Sequence, residues 1–343
     1  MKRLLNTLYV TSQGAYLSRE GETVRVRVEK KTKLSVPIHT LGGIVCFGNV
    51  SVSPFLLGLC GKRSVTVSFL SERGRFLARV QGPISGNVLL RREQYRRADD
   101  GLAAADIARC VVAAKIANSR AVLLRANRDR PQDAGALPLR EAAGHLAGLL
   151  EDLDRPAPIE TVRGREGEAA RVYFGVFDHL ITTQKEEFFF RERTRRPPLD
   201  KFNALLSFLY TLLAHDVSSA LEAVGLDPAV GFLHVDRPGR PGLALDLMEE
   251  FRPFLADRLA LSLVNLQQVR ADGFRVTETG AVHMDDKTRK DVLVAYQKRK
   301  QDEIQHPFLG EKVPIGLLAH VQSMLLARFL RGDVDGYPPF LWK

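Results

Sequence analysis

Apolar and polar residues alternate one by one in Thr23-Val24-Arg25-Val26-Arg27-Val28-Glu29. A period of two predicts a strand with one face on a core. The neighbouring segments read the same way. Leu4–Val10 and Ala15–Leu17 precede it, with Gly14 and Glu20-Gly21 as turn signals, and Leu34–Ile38, Gly43–Phe47 and Ser64–Leu70 follow as short β-prone runs. Between the last two, Val52–Cys60 has the look of a short crossover helix. The pattern changes at Gln81–Gly86, a cluster of turn-formers. From about Asn87 the period is helical: Val88–Ala98, Leu102–Arg128 and Leu139–Asp152 place apolar residues three and four apart. The fold class expected is therefore α+β. A small β-rich domain over 1–80, with strand edges suited to pairing with a second copy, is followed by a linker at 81–86 and a larger, mostly helical domain over 87–343.

Further along, Asp200 predicts the cap of a long helix from Lys201 to about Val224, closed by Gly225. Leu255–Val269 is strongly apolar, Thr277–Met284 reads as a hairpin, Asp285–Glu303 as a charged helix and Pro314–Phe329 as a last amphipathic one. The end of the chain, Y-P-P-F-L-W-K, is apolar and proline-rich. Such a segment seldom stays free in water, so it docks on its own chain or engages a partner.

Composition narrows the class. With 50 Lys and Arg against 40 Asp and Glu the net charge is +10, which favours a polyanionic partner such as nucleic acid. Arginines cluster at 91–97, 120–130 and 191–196, although each cluster also suits a solvated helix face. Apolar runs fall short of the roughly 18 residues of a membrane span, and Met1–Val10 lacks the features of a signal peptide. Cys46, Cys60 and Cys110 are widely spaced without a C-x-x-C pair, which fits a reducing, cytoplasmic setting better than a disulfide framework. Internal repeats and phosphate-loop or dinucleotide-binding motifs are absent from the sequence.

The stretch with most chemistry runs from Gly231 to Pro253. His234 ends an apolar run, a Pro/Gly-rich turn follows, and a helix is expected from near Leu243 carrying Asp246, Glu249 and Glu250 on one stripe. If the turn returns His234 to that stripe, imidazole and carboxylates meet where Mg²⁺ or Mn²⁺ would bind. The same spacing also describes a solvated helix face whose acids complement the helix N-terminus. Upstream, Glu166 lies between Gly164 and Gly167 and is expected to open a helix. With Glu168 it could equally serve that helix end alone. Asn203, Ser207 and Tyr210 form a polar line on an apolar helix, readable as hydrogen-bonded core residues or as substrate contacts.

Three blocks taken together carry a resemblance: R-G-R-E-G-E-A-A-R-V-Y-F at 163–174, P-L-D-K-F-N-A-L-L-S-F-L-Y at 198–210, and G-L-D-P-A-V-G-F-L-H at 225–234 with R-P-G-L-A-L-D-L-M-E-E-F-R-P at 240–253. Their order and spacing resemble the CRISPR-associated integrase of spacer acquisition, a metal-dependent DNA endonuclease and strand-transferase. The resemblance spans nearly the whole chain. It implies that Glu166, His234 and Glu249 are catalytic and ligate Mg²⁺ or Mn²⁺, with Asp246 and Glu250 in support; whether Glu249 or Asp246 is the inner ligand stays open, with Glu249 favoured. Arg163, Arg165 and Arg171 would flank the site, at least one touching phosphate, and Asn203, Ser207 and Tyr210 would position substrate. It further implies a homodimer through the β domains, a small dimeric adaptation partner protein, and double-stranded DNA as substrate. A DNA 3′-hydroxyl would attack a phosphodiester of the CRISPR repeat, and water in its place would give hydrolysis. Two alternatives stand beside it: a stand-alone metal-dependent nuclease on branched DNA, using the same site without a partner, and a non-catalytic DNA-binding scaffold.

Overall fold

The computed structural model describes residues 5–72, 74–82 and 88–342. Leu4 of the first predicted run, positions 83–86 of the predicted linker, Asn87 and the terminal Lys343 lie outside the described residues. The chain divides into two compact units, Met1–Ser85 with Met284–Asp302, and Gly86–His283 with Glu303–Lys343.

In the first unit the strands are β1 Asn6–Val10, β2 Ala15–Glu20, β3 Thr23–Val28, β4 Lys31–Pro37, β5 Leu41–Phe47, β6 Val50–Val52, β7 Thr66–Leu70 and β8 Phe76–Val80. They form two four-stranded sheets, ordered β1-β5-β7-β8 and β4-β3-β2-β6. The alternating segment is β3, and its Val24 and Val26 face Arg19 and Leu17 of β2 across an antiparallel ladder. Leu17, Val24, Ile44, Leu56 and Val67 are buried together between the sheets. Because β5 and β7 run parallel, the chain needs a crossover between them. Helix α1, Pro54–Lys62, supplies it two residues later than expected: Ser53 Oγ accepts from Leu56 N–H at 3.2 Å and Pro54 takes the first helical position. Strand β8 was not expected as a separate element.

Numbering helices in chain order, the second unit holds α2 Val88–Asp99, α3 Gly101–Asp129, α4 Ala136–Asp152, α5 Ile159–Gly175, α6 Lys201–Val224, α7 Gly242–Met248, a π-helical segment Arg252–Asp257, α8 Arg258–Asn265 and, after α9 (Asp286–Gln301, in the first unit), the final helix α10 Leu318–Leu330. Two short ribbons, β9 Phe274–Val276 with β10 Val282–Met284 and β11 Glu303–Gln305 with β12 Lys312–Pro314, complete the strands. The long helix α3 packs on α4 and α5, and α6 packs on α7 and α10. Both ends of α6 are as expected: Asp200 accepts from Asn203 N–H at 2.7 Å, and Gly225 takes φ +95°. By length and composition α6 could cross a membrane, but 61% of its apolar window is buried in the fold, as befits a core helix.

Three expectations differ from the structure. Helix α9, Asp286–Gln301, falls within the expected 87–343 domain yet packs in the first unit, where Gln297 donates to the Thr7 carbonyl at 3.0 Å and Arg289 to that of Glu72. Its apolar side, Val292, Leu293 and Tyr296, is buried, which a charged local sequence did not disclose. Glu166 sits in the middle of α5 instead of opening it. The helix begins after Pro156-Ala157-Pro158, with Glu160 in its first turn. Finally, α7 stops at Met248, and Pro253 is followed by wider π turns in place of a continuing α-helix. Asp246, Glu249 and Glu250 therefore do not form one exposed stripe. All three are buried, at 1%, 1% and 0% exposure, which excludes the solvated-face reading.

Candidate active site

Asp246 organises the loop that bears His234. Its Oδ2 accepts the backbone N–H groups of Phe232 and Leu233 at 2.6 and 2.9 Å, and its Oδ1 accepts His234 N–H at 3.0 Å. The His234 ring adds Nδ1 to the same Oδ1 at 2.6 Å. A carboxylate partner makes Nδ1 the donor, which in the neutral tautomer puts the lone pair on Nε2. So close an approach requires glycine at two positions: a Cβ on Gly231 would stand 2.7 Å from Asp246 Oδ2, and one on Gly242 would stand 2.6 Å from the Ala229 carbonyl. Arg163 Nε donates to the Leu233 carbonyl at 2.8 Å and holds the loop from α5.

Glu249 follows directly on α7. Its Oε1 lies 2.7 Å from an Arg252 guanidinium nitrogen, and its Oε2 lies 2.8 Å from Lys115 Nζ, without hydrogen-bond alignment. Lys115 belongs to the middle of α3 and is 9% exposed; its ammonium also pairs with Glu166 of α5. Three helices thus bring two carboxylates onto one ammonium. Burial opposes ionisation of Glu249, yet the Arg252 and Lys115 charges, with a contribution from His234, bring its pKa down to about 2. Counting Asp246, the group has three carboxylates against Lys115 and Arg252. As possible ligands it offers carboxylate oxygens of Glu166 and Glu249 and the Nε2 of His234. Among the described residues, however, three such side chains do not already stand around one point. The cation between the carboxylates is Lys115.

A second layer backs Arg252. Its guanidinium lies 5.0 Å from the centre of the Tyr210 ring, and that of Arg193 lies 5.1 Å from the same ring. Arg193 donates to Asn203 Oδ1 at 2.7 Å and to Ser207 Oγ at 3.1 Å. The expected polar line on α6 is real, but here its side chains hold Arg193, and Tyr210 donates to Asp257 Oδ1 at 2.7 Å. Buried Phe188 and Phe190 anchor the loop from which Arg193 reaches. Burial pushes the Asp257 carboxyl up to about 6 despite donors from Tyr210 and Tyr173 and the nearby Arg252 and Arg193 charges. The remaining candidates lie further out: Arg165 pairs with Asp152 and Glu168, and Arg171 is exposed on α5. Glycines 164 and 167 face open space instead of a packed backbone.

Residues 8–298 match the family described as CRISPR associated protein Cas1. The chain belongs to the Cas1 family. The CRISPR-associated endonuclease Cas1 1 of Chlorobaculum tepidum is 56% identical over 343 residues, all of both chains. Two solved structures share the fold: a casposase bound to integration product (TM-score 0.84, 21% identity, 99% of this chain and 95% of that one) and a Cas6-RT-Cas1–Cas2 complex (TM-score 0.83, 22% identity, 100% of this chain and 36% of that one). The β-then-α layout of this chain is the Cas1 fold, as the three sequence blocks implied.

Glu250, next to Glu249, faces away from the Cas1 cluster toward the chain's own end. It accepts Tyr337 O–H at 2.6 Å, Phe340 N–H at 2.7 Å and Gln322 Nε2 at 3.0 Å. Asn118, one turn beyond Lys115, donates to the carbonyls of Glu250 and Phe340 and accepts Trp342 N–H at 2.7 Å. Of the two fates expected for the apolar tail, docking on its own chain is the one observed. Lys115, Arg252 and Asp257 were not singled out from the sequence, and Arg193 only as one of the 191–196 cluster. Lys115 had a usable signal, a lone lysine amid Val111, Val112, Ala114 and Ile116 on an apolar helix. Arg252 had none beyond its place in the 240–253 block.

Proposed function

We propose that this chain is the divalent-metal-dependent endonuclease and strand-transferase of CRISPR adaptation, joining the 3′-hydroxyl ends of short DNA duplexes into the CRISPR repeat by transesterification. The observation that carries the reading is the convergence of half-buried Glu166 and buried Glu249 on the buried Lys115 ammonium, beside a histidine whose Nδ1 is held by Asp246. Hard oxygen donors, an imidazole nitrogen and a buried Glu249 oxygen that lacks an aligned donor fit Mg²⁺ or Mn²⁺. Glu166, His234 and Glu249 would hold the ion, which when bound would polarise the scissile phosphate and neutralise charge developing on it. The protein's own residues do the rest. Asp246 engages His234 Nδ1 and so presents Nε2 as the ligating nitrogen, Arg252 keeps Glu249 ionised, and Arg193 with Tyr210 backs Arg252. Without a covalent protein intermediate, catalysis rests on positioning and charge stabilisation. When water replaces the 3′-hydroxyl the same centre hydrolyses DNA.

The endonuclease name of the 56%-identical relative supports the activity. The casposase and the Cas1–Cas2 assembly support integration and a small partner protein. The +10 net charge supports double-stranded DNA as ligand, and the widely spaced cysteines support a reducing, cytoplasmic setting. Exposed Tyr16, Leu34, Phe55, Phe76 and Leu77 on the β-rich unit support a homodimer through that unit. Incubation with a repeat-bearing plasmid and a short duplex, with and without the partner, is the test. Joined product is expected, and Glu166→Ala and His234→Ala should abolish joining while sparing DNA binding. Cleavage that never yields joined strands would point to the stand-alone nuclease, and joining that survives both substitutions would remove the catalytic assignment.

A further inference from the structure

A lysine buried between two carboxylates that are themselves proposed ligands invites a question about what it does there. Lys115 is far from an ordinary surface ion pair. It projects from the middle of a 29-residue helix, is flanked by the apolar residues Ala114 and Ile116, and ends between Glu166 of α5 and Glu249 beyond α7. These two carboxylates come from separate helices with no covalent reason to stay close. With Glu249 buried and Glu166 half-buried, two such anions left alone would repel one another and spread. Arg252 neutralises only one of them, through Glu249 Oε1. The other Glu249 oxygen and Glu166 share the Lys115 ammonium.

We propose that Lys115 is the resident cation of the metal-free site. It holds Glu166 and Glu249 together on one point charge, and it must leave them when a divalent ion enters. The inference rests on the metal-binding reading above and adds to it a competition built into the chain. The exchange balances as a substitution of one cation for another: the ammonium keeps its proton and gives up two carboxylate contacts, and the entering ion takes them. Lys115 therefore has two opposing effects. It preorganises the ligands, which favours metal, and occupies their oxygens, which opposes it. Because a tethered ammonium is a monovalent point charge, it yields to a divalent ion. A guanidinium, with its planar two-nitrogen fork, would hold the carboxylates more stubbornly.

The test uses the full chain and Mn²⁺ alone, read by the loss of the free-ion spin-resonance signal and by thermal unfolding with and without the ion. DNA and activity play no part. Lys115→Met is expected to unfold at lower temperature in chelator, and to bind Mn²⁺ about tenfold more tightly than wild type, because freeing both carboxylates and removing a positive charge from the site outweigh the lost preorganisation. It should also show a larger Mn²⁺-induced rise in melting temperature. Lys115→Arg keeps the charge and should bind Mn²⁺ more weakly than wild type. If Lys115→Met does not fold in chelator, its recovery by Mn²⁺ and the weakened Lys115→Arg carry the proposal. Equal Mn²⁺ affinity in all three proteins, or the same weakening in both variants, would overturn it. Failure of the underlying metal reading looks different: wild type would not bind Mn²⁺, or Glu166→Ala and His234→Ala would bind it as wild type does.

Discussion

Glu249 and Glu250 are consecutive, identical in chemistry and equally buried, yet they end in opposite states. Glu249 points to Arg252 and Lys115 and its pKa falls to about 2. Glu250 points to Tyr337, Gln322 and the Phe340 amide, and burial raises it to about 7, because neutral donors offset only part of the desolvation. Burial alone therefore does not decide ionisation; the charge of the partner does. One carboxylate remains an anion able to hold a cation, while the other ties down the end of the chain. Asp257, with two tyrosine donors and arginines nearby but not bonded to it, lies between these extremes and resembles Glu250.

The largest effect should come from removing the ionised member. Glu249→Ala leaves Lys115 and Arg252 buried with reduced compensation, so stability should fall by about 3–5 kcal/mol in chemical denaturation. Strand joining should disappear as well. A loss no greater than that of a tail substitution would break the contrast between the two glutamates.

Asp257 gives a smaller effect and tests the sign. Its folded pKa is raised from 3.8 to about 6, so the folded state holds the proton more tightly. Its contribution is fully present below about pH 4 and is lost as pH rises to about 6, after which it is flat. Relative to Asp257→Asn, wild type should lose about 3 kcal/mol across that window, since each pKa unit is worth about 1.4 kcal/mol. Melting temperatures of both proteins between pH 4 and 7 measure the difference. A wild-type curve that instead gains on the variant as pH rises would place Asp257 with Glu249.

The smallest change is expected at the tail. Tyr337→Phe removes one of three donors to Glu250 and should cost about 1 kcal/mol, with joining retained. Denaturation midpoints check it. A collapse of joining without loss of stability would show that the Glu250 side of the pair is not merely structural.

Much of the framework was legible beforehand. The helix Lys201–Val224 announced itself by an aspartate cap and a terminal glycine, and the strand at Thr23–Val28 by strict alternation. Both signals are local, so neighbours in sequence carry them. The start of α5 was misplaced because Glu166, set between Gly164 and Gly167, had the look of a helix opening. In a solvent-open helix face a glycine costs only about 1 kcal/mol, which the rest of α5 absorbs. The acidic stripe was misread because a continuous α-helical period was assumed, while α7 ends at Met248 and π turns begin at Arg252.

Taken by itself, the sequence determined the element types, the order of β-rich and helical parts, the family, and His234, Glu166 and Glu249 as the side chains to watch. Tertiary structure decided what those side chains meet. Lys115 lies 51 residues from Glu166 and Asn118 lies 222 from Phe340, separations at which no local pattern speaks. The fate of a buried carboxylate depends on which charges the fold brings within a few ångströms. That is a property of packing between helices and not of any one of them.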